Sequence, residues 1–190
     1  MSMYPDLMVD LETSGTNKDH NAIIQIAAVR FDLKSRTIDT SSFFDRCLTI
    51  PKNRYWMEST RDWWLTKPEV LQSIWQRMEP TEVVLKDFYE WTGQGKTMWA
   101  KPTHFDHSFL DSYYQEYGPQ MPFHYRSASD INSFIRGRYF PETPPKWEYS
   151  LPFEGPVHNA IFDCLHQIKV LFKVTEDTVC RQVASEVVDD

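Results

Sequence analysis

Five side chains spread along the sequence have the types used in metal-assisted hydrolysis: Asp10, Glu12, Asp106, His158 and Asp163. The first two close the run Leu7-Met8-Val9-Asp10-Leu11-Glu12-Thr13-Ser14-Gly15-Thr16, whose apolar start reads as a buried strand and whose Thr, Ser and Gly residues supply a turn. Residues two apart on a strand face the same side. Asp10 and Glu12 therefore point the same way, with Cα atoms roughly 6.6 Å apart, close enough for both carboxylates to converge on one ion. Two solvated acids at a strand end fit the same local pattern. Asp106 falls near the start of an expected helix, where a carboxylate caps amides or complements the dipole as readily as it holds a metal. His158 and Asp163 are five residues apart, about 140° around a helix, so both cannot share one helical face. His158 must then precede the helix, with Asn159 as its N-cap and Asp163 on its first turns. Taken singly, these last two also read as a loop histidine and a surface acid.

The elements that must position these groups follow from periodicity. Asn21 to Leu33 is rich in β-branched residues and gives a second strand, and Ser42 to Ile50 gives a third, joined to it by a short polar loop as an antiparallel hairpin. From Glu58 the period changes: Trp63, Trp64, Val70, Leu71, Ile74 and Trp75 indicate two short helices divided at Pro68. Another helix opens at Pro80-Thr81, with Val83, Val84, Phe88 and Trp91 toward one side and Gly93 after its end. Met98 to Ala100 forms a brief strand, and Thr103 to Tyr117 a helix with Phe105, Phe109, Tyr113 and Tyr117 at four-residue steps. A short helix starts near Asp130. Residues 141–156 hold five of the twelve prolines and form an irregular loop that delivers the chain to a last core helix containing Ile161, Leu165, Ile168 and Phe172. The tail 175–190 is expected to extend free or add one more helix. Strands, then helices, with one return to a strand, indicate a single α/β domain over 1–190 with a mixed sheet.

Composition narrows the function classes. A net charge of −7 argues against a protein that holds polyanions by backbone charge alone, though not against an enzyme that meets them through bound cations. Cys47, Cys164 and Cys180 lack metal-ligand spacing and are an odd number, which points to reduced thiols and a cytoplasmic setting. No apolar stretch approaches membrane-spanning length, and no membrane partner is expected.

Taken together, Asp10-Leu11-Glu12-Thr13, Asp106 in Trp99-Ala100-Lys101-Pro102-Thr103-His104-Phe105-Asp106, and His158-x-Ala160-x-x-Asp163 match the signature of the DEDDh 3′ to 5′ exonucleases in identity, order and spacing. The sequence resembles that superfamily over nearly its whole length. Trp63-Trp64-Leu65 and Phe105-Asp106-x-x-x-Leu110 bring it nearest to the small stand-alone exoribonuclease-like branch of phages and mycobacteria. The resemblance implies a ribonuclease H-like fold, a central five-stranded mixed sheet flanked by helices, with 141–156 as an active-site loop. It also implies two Mg2+ or Mn2+ ions, with Asp10 bridging them, Glu12 and Asp163 on the ion serving the attacking water, Asp106 on the second, and His158 as the base. Hard oxygen ligands suit those ions, and two of them stabilise both oxygens of an in-line displacement. Products would be nucleoside 5′-monophosphates.

Leu11 and Thr13 match positions that meet the terminal nucleotide in the family, and Trp63, Trp64, Phe105 and Trp147 offer aromatic faces for splayed bases or for the core. Lys101, Arg126, Arg136, Arg138 and Lys146 form either a local phosphate track or a solvated face. The expected partners are nucleic-acid 3′ ends, RNA ahead of single-stranded DNA, and a second copy of the chain in a homodimer. Of the rivals, a haloacid-dehalogenase-type phosphatase needs an aspartate where Glu12 stands. A catalytically silent nuclease fold acting as a binding protein would have no use for all five catalytic identities.

Overall fold

The computed structural model describes the backbone of residues 4–146 and 150–188, and side chains as far as Asp177. In chain order the elements are β1 (Asp6–Thr13), β2 (Ile23–Asp32), β3 (Thr37–Leu48), α1 (Glu58–Leu65), α2 (Pro68–Gln76), β4 (Met78–Glu79) and α3 (Thr81–Thr92). There follow β5 (Thr97–Ala100), α4 (Thr103–Glu116), β6 (Ala128–Asp130), α5 (Ile131–Tyr139) and α6 (Ala160–Val188).

The six strands form one mixed sheet in the order β4-β3-β2-β1-β5-β6. β1 is antiparallel to β2 and parallel to β5, β2 is antiparallel to β3, and the short strands β4 and β6 pair in parallel at the two edges. The sheet is therefore one strand wider than the five expected. Both edge strands escaped notice because two or three residues, Met78-Glu79 and Ala128-Ser129-Asp130, are too few to show a period. β3 starts five residues before the expected Ser42, on mixed exposed and half-buried residues that carry no apolar alternation. The last helix runs unbroken through the tail that was expected to stay free or form a separate helix.

Alternation along β1 decides which layer each residue faces. Leu7, Val9 and Leu11 pack with Ile26 and Ala28 of β2 against α3 and α4, through Val84, Leu85, Phe88, Phe109, Leu110 and Tyr113. Met8 faces the other way and packs with Ala27, Val29 and Phe31 against α5 and α6, through Ile131, Ile135, Ala160, Cys164, Ile168 and Leu171. β2 is buried on both sides for most of its length, which explains its nearly continuous apolar run. A third cluster, Ala22, Ile24, Cys47, Trp64, Leu71 and Ile74, seats α1 and α2 beside the end of the sheet where Asp10 and Glu12 stand. Cys47 and Cys164 are buried free thiols. Among the described residues no helix is long and apolar enough to cross a membrane.

Candidate active site

Since Met8 faces α6, so do Asp10 and Glu12, two and four residues further along β1. α6 in turn brings Asp163 on its first turns. Ligand oxygens of Asp10, Glu12 and Asp163 lie within 4.8 Å of one another, the one such group among the described residues.

Asp106 arrives from the opposite layer. β5 pairs with β1 only as far as Met8↔Trp99, so beyond that point the side of β1 facing β5 has no strand partner. The Leu11 N–H on that side donates to Asp106 Oδ1 at 3.1 Å, and the carboxylate is only 4% exposed. Asp106 thus replaces a missing ladder bond instead of capping α4, whose N-cap is Pro102. The helix start is pinned from both neighbouring strands: Thr103 N–H donates to Asp130 Oδ2 at 3.1 Å, and the single Thr103 hydroxyl proton is shared between the Ser129 and Ala100 carbonyls, 2.5 and 3.0 Å from Oγ1. Asp130 also accepts from Ser133 N–H and caps α5.

The turn after β1 is held equally firmly. Ser14 Oγ donates to the Tyr55 carbonyl and accepts from Ala22 N–H, at 2.9 and 2.7 Å. A Cβ on Gly15 would come within 2.3 Å of the Asn21 side chain, so only glycine lets the loop close. Thr13 Oγ1 donates to the Gly15 carbonyl at 2.8 Å, while the Thr13 carbonyl accepts from Trp64 Nε1 at 3.1 Å. Trp64 is 1% exposed and anchors this strand end from the core, which removes it from the candidate base-stacking faces.

Electrostatically the site is loaded with like charge. Burial raises the Asp10 carboxyl to about 7, the Asp163 charge adds to this, and a hydrogen bond from Gln167 opposes it. Glu12 is pushed well above the ordinary carboxylate range by burial and then by Asp10, Asp163 and Asp106. Asp106 is raised by burial and by Asp10, against its own backbone N–H and that of Leu11. Asp163 is raised to about 6 by burial, opposed by the backbone N–H groups of Asn159 and His158. Its Oδ2 is buried with no hydrogen-bond partner among the described residues. Convergent hard oxygens, one of them unpartnered, in a pocket that disfavours their ionisation fit a divalent cation such as Mg2+ or Mn2+.

His158 precedes α6 as expected, with a left-handed backbone at φ 60°. Its ring stands outside the carboxylate group and meets the edge or face of Trp63 at 4.8 Å between centroids and 85° between planes. Burial lowers its pKa below the usual histidine value, and the Lys67 charge lowers it further. The Asn159 side chain reaches Gln25 Nε2 at 3.4 Å, while the Asn159 carbonyl accepts the N–H groups of Phe162 and Asp163.

The expected substrate contacts divide. Trp63 is 39% exposed, with His158, Trp64 and the Lys67 ammonium against its ring. Phe105 is half-buried against Phe109 and the core at 4.8 Å. The Leu11 side chain is 6% exposed in the core and its N–H is engaged by Asp106. Trp147 lies outside the described residues. Arg126 and Arg138 sit over Tyr125 and Phe134, and Arg136 and Arg138 occupy the last turn of α5, where they complement its dipole. Sequence reasoning overlooked Gln167, whose Nε2 donates to Asp10 Oδ1 at 2.9 Å. Its spacing of four from Asp163, one turn along the same helix face, was the available signal.

Comparison with known proteins bears on the family and the fold. The model of the Rv2179c-like 3′-5′ exoribonuclease domain matches residues 5–175. No curated protein sequence matches the chain. Among solved structures, cell-death related nuclease 4 (CRN-4) superposes with a TM-score of 0.69 at 22% identity, covering 90% of this chain and 64% of that one. The nuclease domain of 3′hExo, a DEDDh family member solved with rAMP, gives 0.63 at 15% identity, covering 93% and 94%. S. pombe Pop2p, solved with Mg2+ and Mn2+, gives 0.67 at 15% identity, covering 90% and 82%. At these identities the likeness is one of fold, and the chain spans less than two thirds of the first of these nucleases. The family match carries the assignment: the chain shares the fold of the DEDDh nuclease domain of 3′hExo, and it belongs to the Rv2179c-like 3′-5′ exoribonuclease domain family.

Proposed function

We propose that the protein is a metal-dependent 3′ to 5′ exonuclease that releases nucleoside 5′-monophosphates, with RNA preferred to single-stranded DNA. The observation that carries this reading is the convergence of Asp10, Glu12 and Asp163 from two elements, with Asp106 behind them from the opposite layer. Asp10, Glu12 and Asp163 would hold the cations, and Asp106 would complete a site for two Mg2+ or Mn2+ ions. When bound, such ions neutralise the carboxylates and stabilise the charge that develops on the phosphodiester.

The chain's own groups do the rest. His158 Nδ1 or Nε2 takes the proton of the attacking water, and its lowered pKa keeps the imidazole neutral and competent near neutral pH. Trp63 offers its exposed ring to the terminal base, a contact worth about 1–3 kcal/mol. Thr13, whose carbonyl and hydroxyl are fixed by Trp64 and Gly15, borders the terminal sugar. A homodimer in a cytoplasmic setting belongs to the same proposal.

Matched RNA and DNA oligonucleotides labelled at the 5′ end test it, incubated with Mg2+, with Mn2+ or with EDTA. The expected result is a ladder shortening from the 3′ end, with mononucleotide product, faster on RNA and absent in EDTA. Intact substrate under every metal condition would refute the activity and leave a binding protein on a nuclease fold.

A further inference from the structure

Several cations of this acidic chain, those nearest Lys67 in sequence among them, are neutralised by neighbouring acids. On α1, Arg61 pairs with Asp62 at 2.9 Å and with Glu58 at 3.8 Å. Arg46, Arg54 and Arg77 each pair with one or two carboxylates, as do Lys169 and Lys173. Lys67, half-buried at the N-cap of α2, takes part in none of the ion pairs among the described residues. Its ammonium instead lies 5.4 Å from the centroid of the Trp63 ring, the same ring that meets His158 at 4.8 Å. Its backbone N–H is occupied by the Trp64 carbonyl at 2.9 Å, which fixes the residue at the junction of the two helices.

An unpaired ammonium beside a solvent-facing indole is the pairing by which single-stranded nucleic acid is held: the ring takes a base and the cation a phosphate oxygen. The nine-residue α2 adds the positive end of its dipole at the same point. Because Lys67 and His158 both lie against the Trp63 ring, the ammonium is placed for a phosphate next to the one being cleaved.

We infer that Lys67 is a substrate-binding residue that takes a non-bridging oxygen of the internucleotide phosphate 5′ to the scissile one, while Trp63 takes the neighbouring base. The inference rests on the exonuclease reading for the identity of the ligand. It gives an acidic protein its local affinity for a polyanion, and it makes recognition depend on substrates at least two phosphates long.

Two variants and two substrates test it. Lys67→Met keeps the stem and removes the charge, and Lys67→Arg restores the charge. A five-nucleotide RNA is compared with the p-nitrophenyl ester of thymidine 5′-monophosphate, which has a single phosphodiester. On the RNA, Lys67→Met should raise KM by about tenfold with kcat within about twofold of the parent, as a lost charge-assisted contact predicts. The dependence of log KM on log salt should fall in slope by about 0.7, the value for one phosphate on a single strand. Lys67→Arg should recover most of the loss, and at pH 8, where His158 is neutral with or without the Lys67 charge, both variants should treat the single-diester ester as the parent does. Unchanged KM and salt slope on the RNA would overturn the contact, and so would equal losses on both substrates. Fluorescence anisotropy with the same labelled RNA in Ca2+ separates the two readings. Lys67-dependent, salt-sensitive binding without hydrolysis under Mg2+ or Mn2+ would overturn the exonuclease assignment and keep the contact.

Discussion

Substituting Asp10→Asn should stabilise the metal-free protein at pH 8 and matter far less at pH 5. In the folded chain the Asp10 carboxyl is raised from 3.8 to about 7, chiefly by burial. A group whose folded pKa exceeds its unfolded value contributes stability while protonated, and that contribution is lost as pH rises from near 4 to about 7. At 1.36 kcal/mol per unit, three units correspond to about 4 kcal/mol, and the solvent that half-buried Asp10 still reaches reduces this to about 2–4 kcal/mol. Asparagine keeps an oxygen for the Gln167 amide and carries no charge. The stability difference between variant and parent in EDTA should therefore grow by about 1–3 kcal/mol between pH 5 and pH 8, or about 3–10 °C in Tm for a chain of this size. Mg2+ at pH 8 should stabilise the parent by mass action and the variant much less. Thermal and urea unfolding of both proteins at the two pH values, with and without Mg2+, measure every term. If the two proteins keep the same difference at both pH values, burial is not what sets the ionisation of this carboxyl, and the case for cation binding at the cluster loses its energetic basis.

Further variants address single groups. His158→Ala should lower kcat by at least about 10²-fold while leaving the Kd for a labelled RNA nearly unchanged; equal loss of both would refute its role as base. Gln167→Leu removes the amide that holds Asp10 and should weaken Mn2+ binding by about tenfold or more in calorimetry, with the circular dichroism spectrum retained. Asp106→Asn preserves an acceptor for Leu11 N–H and should retain stability within about 1 kcal/mol while turnover collapses, whereas Asp106→Leu leaves that donor unpaired and should cost about 1–3 kcal/mol in urea unfolding.

What could be read in advance follows from how local each signal is. The shared direction of Asp10 and Glu12 needs only the alternation of a strand, and the separation of His158 from Asp163 needs only the pitch of a helix. Both are carried within six residues. Trp63 and Trp64 show the limit, because adjacent helical residues point about 100° apart and composition cannot say which one faces the core. Trp64 is buried on the Thr13 carbonyl, and Trp63 is left beside His158. Asp106 was legible by identity but not by role, since its partner is a backbone amide 95 residues away. Lys67 and Gln167 carry no motif at all; their significance depends on what the tertiary fold sets opposite them.

The position of the site follows from a defect in the sheet. β1 is central, yet its β5 partner stops at Met8↔Trp99, which frees the β1 edge where Leu11 donates. A longer β5 would satisfy that amide and close the route by which α4 delivers a carboxylate from the other layer. Shortening the strand therefore lets acids from both sides of the sheet meet at one end of β1. The same arrangement isolates them from compensation. None of Asp10, Glu12, Asp106 and Asp163 takes part in an ion pair among the described residues, while many of the exposed acids of the chain do. Acids on a surface can remain charged in water at little cost, whereas four carboxylates sharing a buried end of the sheet must either bind protons or bind cations. Burial raises all four, with repulsion added at Asp10, Glu12 and Asp106: Asp163 to about 6, Asp10 to about 7, and Glu12 and Asp106 well above the ordinary carboxylate range, so ionising the group together is costly without a counter-charge. Cations bound as proposed would supply that counter-charge to all four carboxylates at once.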